Sequence, residues 1–275
     1  MSTAHHEINF EAHIVRQLTQ QGWLEGDTSG YDTDRTIYPE DVLAWIEATQ
    51  PQKLEKLRTQ NGTKAETVLL DRLAQALDND GLVNVLRKGF PVAGCGNISM
   101  SQAAPEDERN QSVVTAYKAN RLRVVRQLKY NPTREYALDL GFFINGLPVA
   151  TGEVKTNFTQ AVEDAINQYR RDRQPYDKEN RRREKLFEAQ RGAVVHFAIS
   201  EEEVWMTTAL KGDNTRFLPF NKGNRGRGGN PPVSNGYPIA YLWREVLKPD
   251  AWLRIFHSFV YTESKSVQNA KGRYE

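Results

Sequence analysis

An Asn-Gly pair between two apolar segments constrains the fold of this 275-residue chain more than any other feature. The segments run from Tyr136 to Ile144 and from Pro148 to Lys155, with Asn145-Gly146 between them. Asn and Gly accept the left-handed backbone angles that a tight turn needs, so the pattern predicts an antiparallel β-hairpin. Because both flanks are apolar, the two strands are expected to be buried.

The period of the apolar residues changes after the hairpin. Phe158, Val162, Ile166 and Tyr169 fall on one helical stripe, which predicts a helix that ends near Arg173. By the same criteria, strands are predicted at residues 121–130, 193–199 and 204–210, and helices at residues 7–21, 39–50, 64–79, 178–191 and 249–260. The order of these elements predicts an α/β fold, in which a mostly helical region (residues 1–120) packs on a core (residues 121–262).

Composition narrows the class of protein. The chain has 37 basic and 35 acidic residues and a formal net charge of +2, which are values of a globular protein. Its single cysteine excludes an internal disulfide framework and a multi-cysteine zinc site. No apolar run approaches the roughly 20 residues of a membrane span, and the polar N-terminus is not a signal peptide. A cytoplasmic protein is expected.

Three charged residues occur within the predicted hairpin. Asp139 lies near the start of the first strand, and Glu153 and Lys155 lie near the end of the second. Side chains alternate along a strand, so Glu153 and Lys155 are expected on the same face. Asp139, Glu153 and the Val154 carbonyl offer the oxygen ligands that Mg²⁺ prefers, and such a metal assists phosphodiester hydrolysis. Lys155 is suited to orient the attacking water or to neutralise charge on the phosphate.

The register of the hairpin provides a test of this site. A strict two-residue turn at Asn145-Gly146 would pair Asp139 with Gly152, which places Asp139 and Glu153 on opposite faces. The site therefore requires one extra residue, and we predict a three-residue loop with a left-handed Gly146, or an equivalent bulge. The simpler interpretation of these residues is a cross-strand charge pair at a solvent edge.

The stretch YALDLGFFINGLPVATGEVKTNFTQAVEDAINQYRRDR resembles the nuclease core of the restriction (R) subunit of type I restriction–modification enzymes. The segment FEAHIVRQLTQQGW near the start is similar to the first helix of that family, and the segments after the core also resemble it. The resemblance implies a PD-(D/E)xK fold, which is a restriction-endonuclease-like, RecB-like mixed sheet flanked by helices. It also implies Mg²⁺-dependent cleavage of double-stranded DNA after ATP-driven translocation.

The resemblance also implies roles for single residues. Asp139, Glu153 and Lys155 match the catalytic motif, and Gln168 matches the Gln of a helix motif written QxxxY. The sequence departs from that motif, because Asp172 follows Gln168 by four positions and Tyr169 is adjacent to it. Glu11 matches a helix acid that approaches the metal. Three basic residues that follow the site are expected to contact DNA phosphates, namely Arg170, Arg171 and Arg173.

The family's R subunit works with modification and specificity subunits, and its ATPase motor requires a phosphate-binding loop that this chain lacks. ATP is therefore expected only in the full-length subunit, and residues 263–275 are expected to be a linker toward a motor domain. Two other functions stay open. The chain is alternatively a non-catalytic DNA- or subunit-docking module, or a RecB-like repair exonuclease.

Overall fold

The structure is a computed structural model that describes residues 3–156, 162–179 and 181–262. Its main element is a seven-stranded mixed β-sheet, and two short hairpins lie apart from that sheet. The strands are β1 (Leu24–Gly26), β2 (Phe90–Val92), β3 (Gly96–Ile98), β4 (Leu122–Lys129), β5 (Ala137–Ile144), β6 (Leu147–Val154), β7 (Tyr176–Asp177), β8 (Arg182–Arg183), β9 (Val195–Ile199), β10 (Val204–Thr207) and β11 (Leu218–Pro219). The helices are α1 (Thr3–Thr19), α2 (Pro39–Thr49), α3 (Pro51–Asn61), α4 (Ala65–Asp80), α5 (Leu82–Lys88), α6 (Gln111–Lys118), α7 (Val162–Asp172) and α8 (Pro249–Arg254).

The large sheet has the strand order β1-β4-β5-β6-β9-β10-β11. Strands β4, β5 and β6 form an antiparallel meander, β1 joins β4 in parallel, and β9 joins β6 in parallel. A parallel connection needs a crossover, and α7 lies within the one between β6 and β9. The central hairpin is thereby covered by neighbours on both edges.

Two hydrophobic clusters cover the two faces of the sheet. Neighbouring residues of one strand belong to different clusters, as Phe142 and Phe143 of β5 show. The larger cluster packs the sheet against α1, α2, α4, α5 and α8, and the smaller one packs it against α7. Burial on both faces explains why β5 and β6 are apolar at nearly every position.

Most predicted elements are confirmed, with three differences. The predicted helix at residues 178–191 is wrong, because β7 and β8 form a hairpin there and Lys185–Phe187 is a single 3₁₀ turn. The mostly helical region (residues 1–120) also contains three short strands, of which β1 belongs to the main sheet. The last predicted helix begins as α8 and continues as a π-helical turn over Ile255–Phe259.

Phe158 and the proposed linker at residues 263–275 lie outside the described residues. Within the described ranges, every helix is too short or too polar to span a lipid bilayer.

Candidate active site

The register of the β5–β6 hairpin brings the two predicted acids together. Asn145 and Gly146 both have positive φ angles (48° and 83°), and Ile144 pairs directly with Leu147 across a two-residue turn. The register then shifts: Phe143 pairs with Pro148, but Phe142 pairs with Ala150.

Val149 is consequently an extra residue in β6, which is a β-bulge. Leu140 pairs with Gly152 beyond the bulge, so Asp139 comes opposite Glu153 on one face. The predicted extra residue is therefore present, in the form of an equivalent bulge and not of a three-residue loop. It lies at Val149 inside the strand and not in the turn.

Asp139 is held by a backbone amide and by a glutamine. The Val154 N–H donates to Asp139 Oδ2 over 2.7 Å, and Gln127 Nε2 lies 3.2 Å from Asp139 Oδ1. Gln127, whose φ is positive (47°), also donates through Nε2 to the Glu11 carboxylate at 3.1 Å and 3.2 Å. These contacts fix the carboxylate of Asp139 at the end of the hairpin.

Glu153 is completely buried, and its two oxygens are in different situations. Arg173 Nε donates to Glu153 Oε1 over 2.6 Å, whereas Oε2 accepts no hydrogen bond from the described residues. Burial raises the pKa of Glu153 well above its usual range, and the neighbouring Asp139 carboxylate raises it further. Arg173 acts in the opposite direction.

The Asp139 carboxylate is near enough to raise the pKa of Glu153. Two ionised carboxylates repel each other at short range, so their proximity favours a protonated carboxyl or a bound cation. The buried Glu153 Oε2 has no hydrogen-bond partner among the described residues, and such a carboxylate oxygen is a suitable ligand for a divalent cation. A site of Asp139, Glu153 and the Val154 carbonyl suits Mg²⁺, which takes few protein ligands and keeps several waters.

Glu11 lies beside this site, on α1. It is almost fully buried, and burial raises its pKa to about 7, with a further contribution from Asp139. Among the described residues, however, no set of three or more His, Cys, Asp and Glu side chains is arranged to hold one ion. Glu11 reaches Asp139 through Gln127, and its role as a direct ligand stays a prediction.

Lys155 and Gln168 line one groove of about 380 Å³ at the end of β6, and neither Asp139 nor Glu153 belongs to its lining. Lys155 Nζ lies 3.7 Å from Glu7 Oε2 of α1, and the Lys155 backbone N–H donates to the Ile199 carbonyl. The amine is thus close to α1. Gln168 of α7 lines the same groove.

The aromatic residue next to Gln168 does not enter this groove. Tyr169 is fully buried, and its hydroxyl lies 2.8 Å from Thr151 Oγ1 in the core. Asp172, which stands where the helix motif has tyrosine, lines the groove with Lys155. The departure from the motif therefore places an exposed acid in this groove.

The three arginines expected to contact DNA lie in different environments. Arg171 is exposed, and Arg170 is half-buried and donates to the Thr215 carbonyl. Arg173 is only 4% exposed and donates to Glu153, to the Tyr130 hydroxyl (3.0 Å) and to the Ala137 carbonyl (2.7 Å). The expected phosphate contact is wrong for Arg173, because its guanidinium is used inside the protein.

Sequence reasoning missed Gln127 and Tyr130, and it assigned Arg173 to DNA phosphates and not to Glu153. Gln127 carries no pattern in a strand of alternating residues. The available signal was the burial of Glu153 itself, since a buried carboxylate needs a cationic or hydrogen-bonding partner.

A match to a protein family covers most of the chain. Residues 11–215 match the family described as the type I restriction enzyme R protein N terminus. A search of the curated proteins finds no match. The matched range contains the whole hairpin, α7 and β9, and it extends over most of the chain. The chain belongs to the family of type I restriction enzyme R protein N termini.

Proposed function

We propose that this chain is the nuclease part of a type I restriction enzyme R subunit, which cleaves double-stranded DNA with Mg²⁺. The observation that carries the proposal is the bulge at Val149, which sets the Asp139 and Glu153 carboxylates side by side with Glu153 Oε2 unpaired. Buried acids of raised pKa beside a groove are typical of functional sites.

Each residue of the proposed site has a separate role. Asp139, Glu153 and the Val154 carbonyl would hold Mg²⁺, which when bound polarises the scissile phosphate and activates water. Lys155, at the adjacent groove, neutralises negative charge on the phosphate oxygens. Gln168 positions the phosphate or water from the facing helix. Glu11 supports the site through Gln127 and Asp139.

DNA would approach along α7. Arg171 is exposed there, and it also borders a second groove of about 720 Å³ together with Arg170. That groove carries acids as well, including Asp172 and Glu179, so phosphate contacts depend on single arginines and not on a uniformly basic surface. In this proposal, the DNA site is recognised with the modification and specificity subunits. ATP-driven translocation is a function of the full-length R subunit.

The test is DNA cleavage by the complete restriction complex that carries this chain. Asp139→Ala, Glu153→Ala and Lys155→Ala are each expected to lower cleavage by at least about 100-fold, because each removes a metal ligand or the cation at the phosphate. ATP hydrolysis by the same complexes is expected to stay unchanged, because these residues do not contact a nucleotide. Both activities are measured on one plasmid substrate.

Glu163→Ala is the matched control, since Glu163 is an exposed acid on the first turn of α7. It is expected to cleave like the parent. Loss of ATP hydrolysis in parallel with cleavage, or full cleavage by the Asp139 variant, would contradict the proposal.

A second candidate function is a docking module without catalysis. The ion pair between Glu153 and Arg173 favours it, because Arg173 partly neutralises the buried Glu153 carboxylate without a metal. Calorimetry with Mg²⁺ and Mn²⁺ separates the two. Binding by the parent that is lost in Asp139→Ala supports the nuclease, and no heat of binding in either protein supports the docking module.

A further inference from the structure

The buried guanidinium of Arg173 donates three hydrogen bonds, one of them to the acid pair. Its Nε donates to Glu153 Oε1, its Nη1 to the Tyr130 hydroxyl and its Nη2 to the Ala137 carbonyl. The Tyr130 ring centroid lies 5.4 Å from the guanidinium carbon. The three partners come from β6, from the residue that follows β4 and from the start of β5, so Arg173 connects all three strands of the meander.

These contacts make the two oxygens of Glu153 unequal. Oε1 is engaged by a buried cation, and Oε2 is buried with no hydrogen-bond donor among the described residues. The Asp139 oxygens are also restrained, since Oδ2 accepts from the Val154 N–H and Oδ1 lies near Gln127. The protein therefore presents one carboxylate oxygen, Glu153 Oε2, that no donor occupies.

We propose that Arg173 is a positioning residue that holds Glu153 Oε1 so that Glu153 binds a divalent cation through Oε2 alone. This inference rests on the proposed nuclease function. Arg173 does not contact the cation or the DNA. It sets the orientation of the carboxylate by a directional hydrogen bond, which a guanidinium provides in a fixed plane.

A merely structural counter-ion would behave differently. It would act only by neutralising Glu153, so its effect would depend on its charge and not on the direction of its hydrogen bonds. A role in which Arg173 moves away from Glu153 is also disfavoured, because its buried guanidinium would then lose three hydrogen-bond acceptors. The two roles predict different results for a lysine, which keeps the charge but loses the planar set of donors.

The experiment measures binding of Mn²⁺ to this chain by calorimetry and by electron paramagnetic resonance. Arg173→Lys is expected to weaken binding by at least about tenfold, since it removes a charge-assisted hydrogen bond that orients a ligand. The Mn²⁺ spectrum is expected to change with it, because the ligand geometry changes.

Arg191→Lys is the matched control. Arg191 is also buried, and it also donates through Nε to a carboxylate (Asp78) and through Nη2 to a backbone carbonyl (Arg35). It lies outside the proposed site, so the affinity and spectrum for Mn²⁺ are expected to match those of the parent.

Tyr130→Phe tests the inference even if Arg173→Lys fails to fold. It removes one acceptor from Arg173, and we expect Mn²⁺ binding about threefold weaker with little loss of packing. Unchanged or tighter binding in the folded variants would overturn the inference alone. Absence of Mn²⁺ binding in the parent would overturn the proposed metal site, and the inference with it.

Discussion

At the scale of single residues, burial determines the charge of acids outside the proposed site as well. Glu184 is 6% exposed and accepts a hydrogen bond from Asn131 Nδ2 over 2.7 Å. Burial raises the pKa of Glu184 to about 7, and Asp177 contributes, although Arg182 and Arg134 act in the opposite direction. This acid is far in sequence from the hairpin acids and belongs to no predicted motif.

Replacement of Glu184 by glutamine is expected to stabilise the protein at high pH. The pKa of Glu184 is about 7 when folded and near 4.5 when unfolded, so the folded protein loses stability as pH rises through that window. Glu184→Gln removes this loss and is expected to be more stable than the parent at pH 8 by up to about 3 kcal/mol. Urea denaturation at pH 5 and pH 8 measures the difference, which should fall to under about 1 kcal/mol at pH 5.

Glu163→Gln serves as the control, since the side chain is exposed and its replacement should alter stability equally at both pH values. An advantage of Glu184→Gln that does not depend on pH would show that the carboxylate is not protonated in the folded protein.

Residue types in one local segment allowed Asp139, Glu153 and Lys155 to be predicted. Charged residues in apolar strands require a special environment, and that argument needs only the sequence of the hairpin. The contacts of Gln127 and Arg173 could not be predicted in this way. Gln127 reaches Glu11, 116 positions away, and Arg173 reaches Tyr130, 43 positions away, so both depend on tertiary packing.

At the scale of elements, the β5–β6 turn is fixed by contacts outside the hairpin. The fully buried Asn145 donates to the Met100 carbonyl, and its own carbonyl oxygen Oδ1 accepts from the Arg121 N–H. The Tyr38 N–H donates to the Gly146 carbonyl over 2.8 Å, which joins the turn to the start of α2. Such a turn tolerates few substitutions.

Gly146→Ala is therefore expected to destabilise the protein by more than about 2 kcal/mol. A Cβ at this position would lie 2.5 Å from the Tyr38 carbonyl oxygen and 3.0 Å from the Val42 nitrogen, and the φ of +83° is unfavourable for alanine. Gly62→Ala also has a positive φ (+55°) but open space around it, so only its backbone conformation is unfavourable and its expected cost is smaller, about 1–2 kcal/mol. Thermal denaturation of both variants compares them, and equal losses would mean that the turn is not closely packed.

The elements that sequence patterns predicted are those with a regular apolar period. The hairpin follows from Asn145-Gly146, and α7 follows from its apolar stripe. Residues 178–191 have the composition of a helix but only Leu186 and Phe187 as large apolar residues, so no stripe could anchor a helix. There the left-handed Arg181 and the burial of Leu186 and Phe187 produce a turn and a short hairpin. Pro148 is a local sign of the bulge, since proline within a buried sheet is typical of bulges, but it does not specify that the extra residue is Val149.

At the scale of the whole molecule, the helical region and the sheet are joined by buried ionic contacts. Asp41 of α2 is completely buried and forms ion pairs with two arginines. Arg123 lies in β4 (2.6 Å), and Arg121 directly precedes β4 (2.7 Å). Strand β1 also comes from the helical region and pairs with β4. The boundary near residue 120 therefore does not separate two independent cores.

Loss of Asp41 is consequently expected to destabilise the entire described fold. Asp41→Ala leaves two arginines without their buried partner, which costs about 3–5 kcal/mol. Glu40→Ala removes an acid that contacts the same arginines, but its side chain is 63% exposed, so its cost is expected to be under about 1 kcal/mol. Hydrogen exchange followed by mass spectrometry is the measurement. In Asp41→Ala, the amides of α4 and of β5 should lose protection together and to the same extent. If α4 opened while β5 kept its protection, the helical region would be a separate folding unit, and the acid site on β5 and β6 would not depend on it.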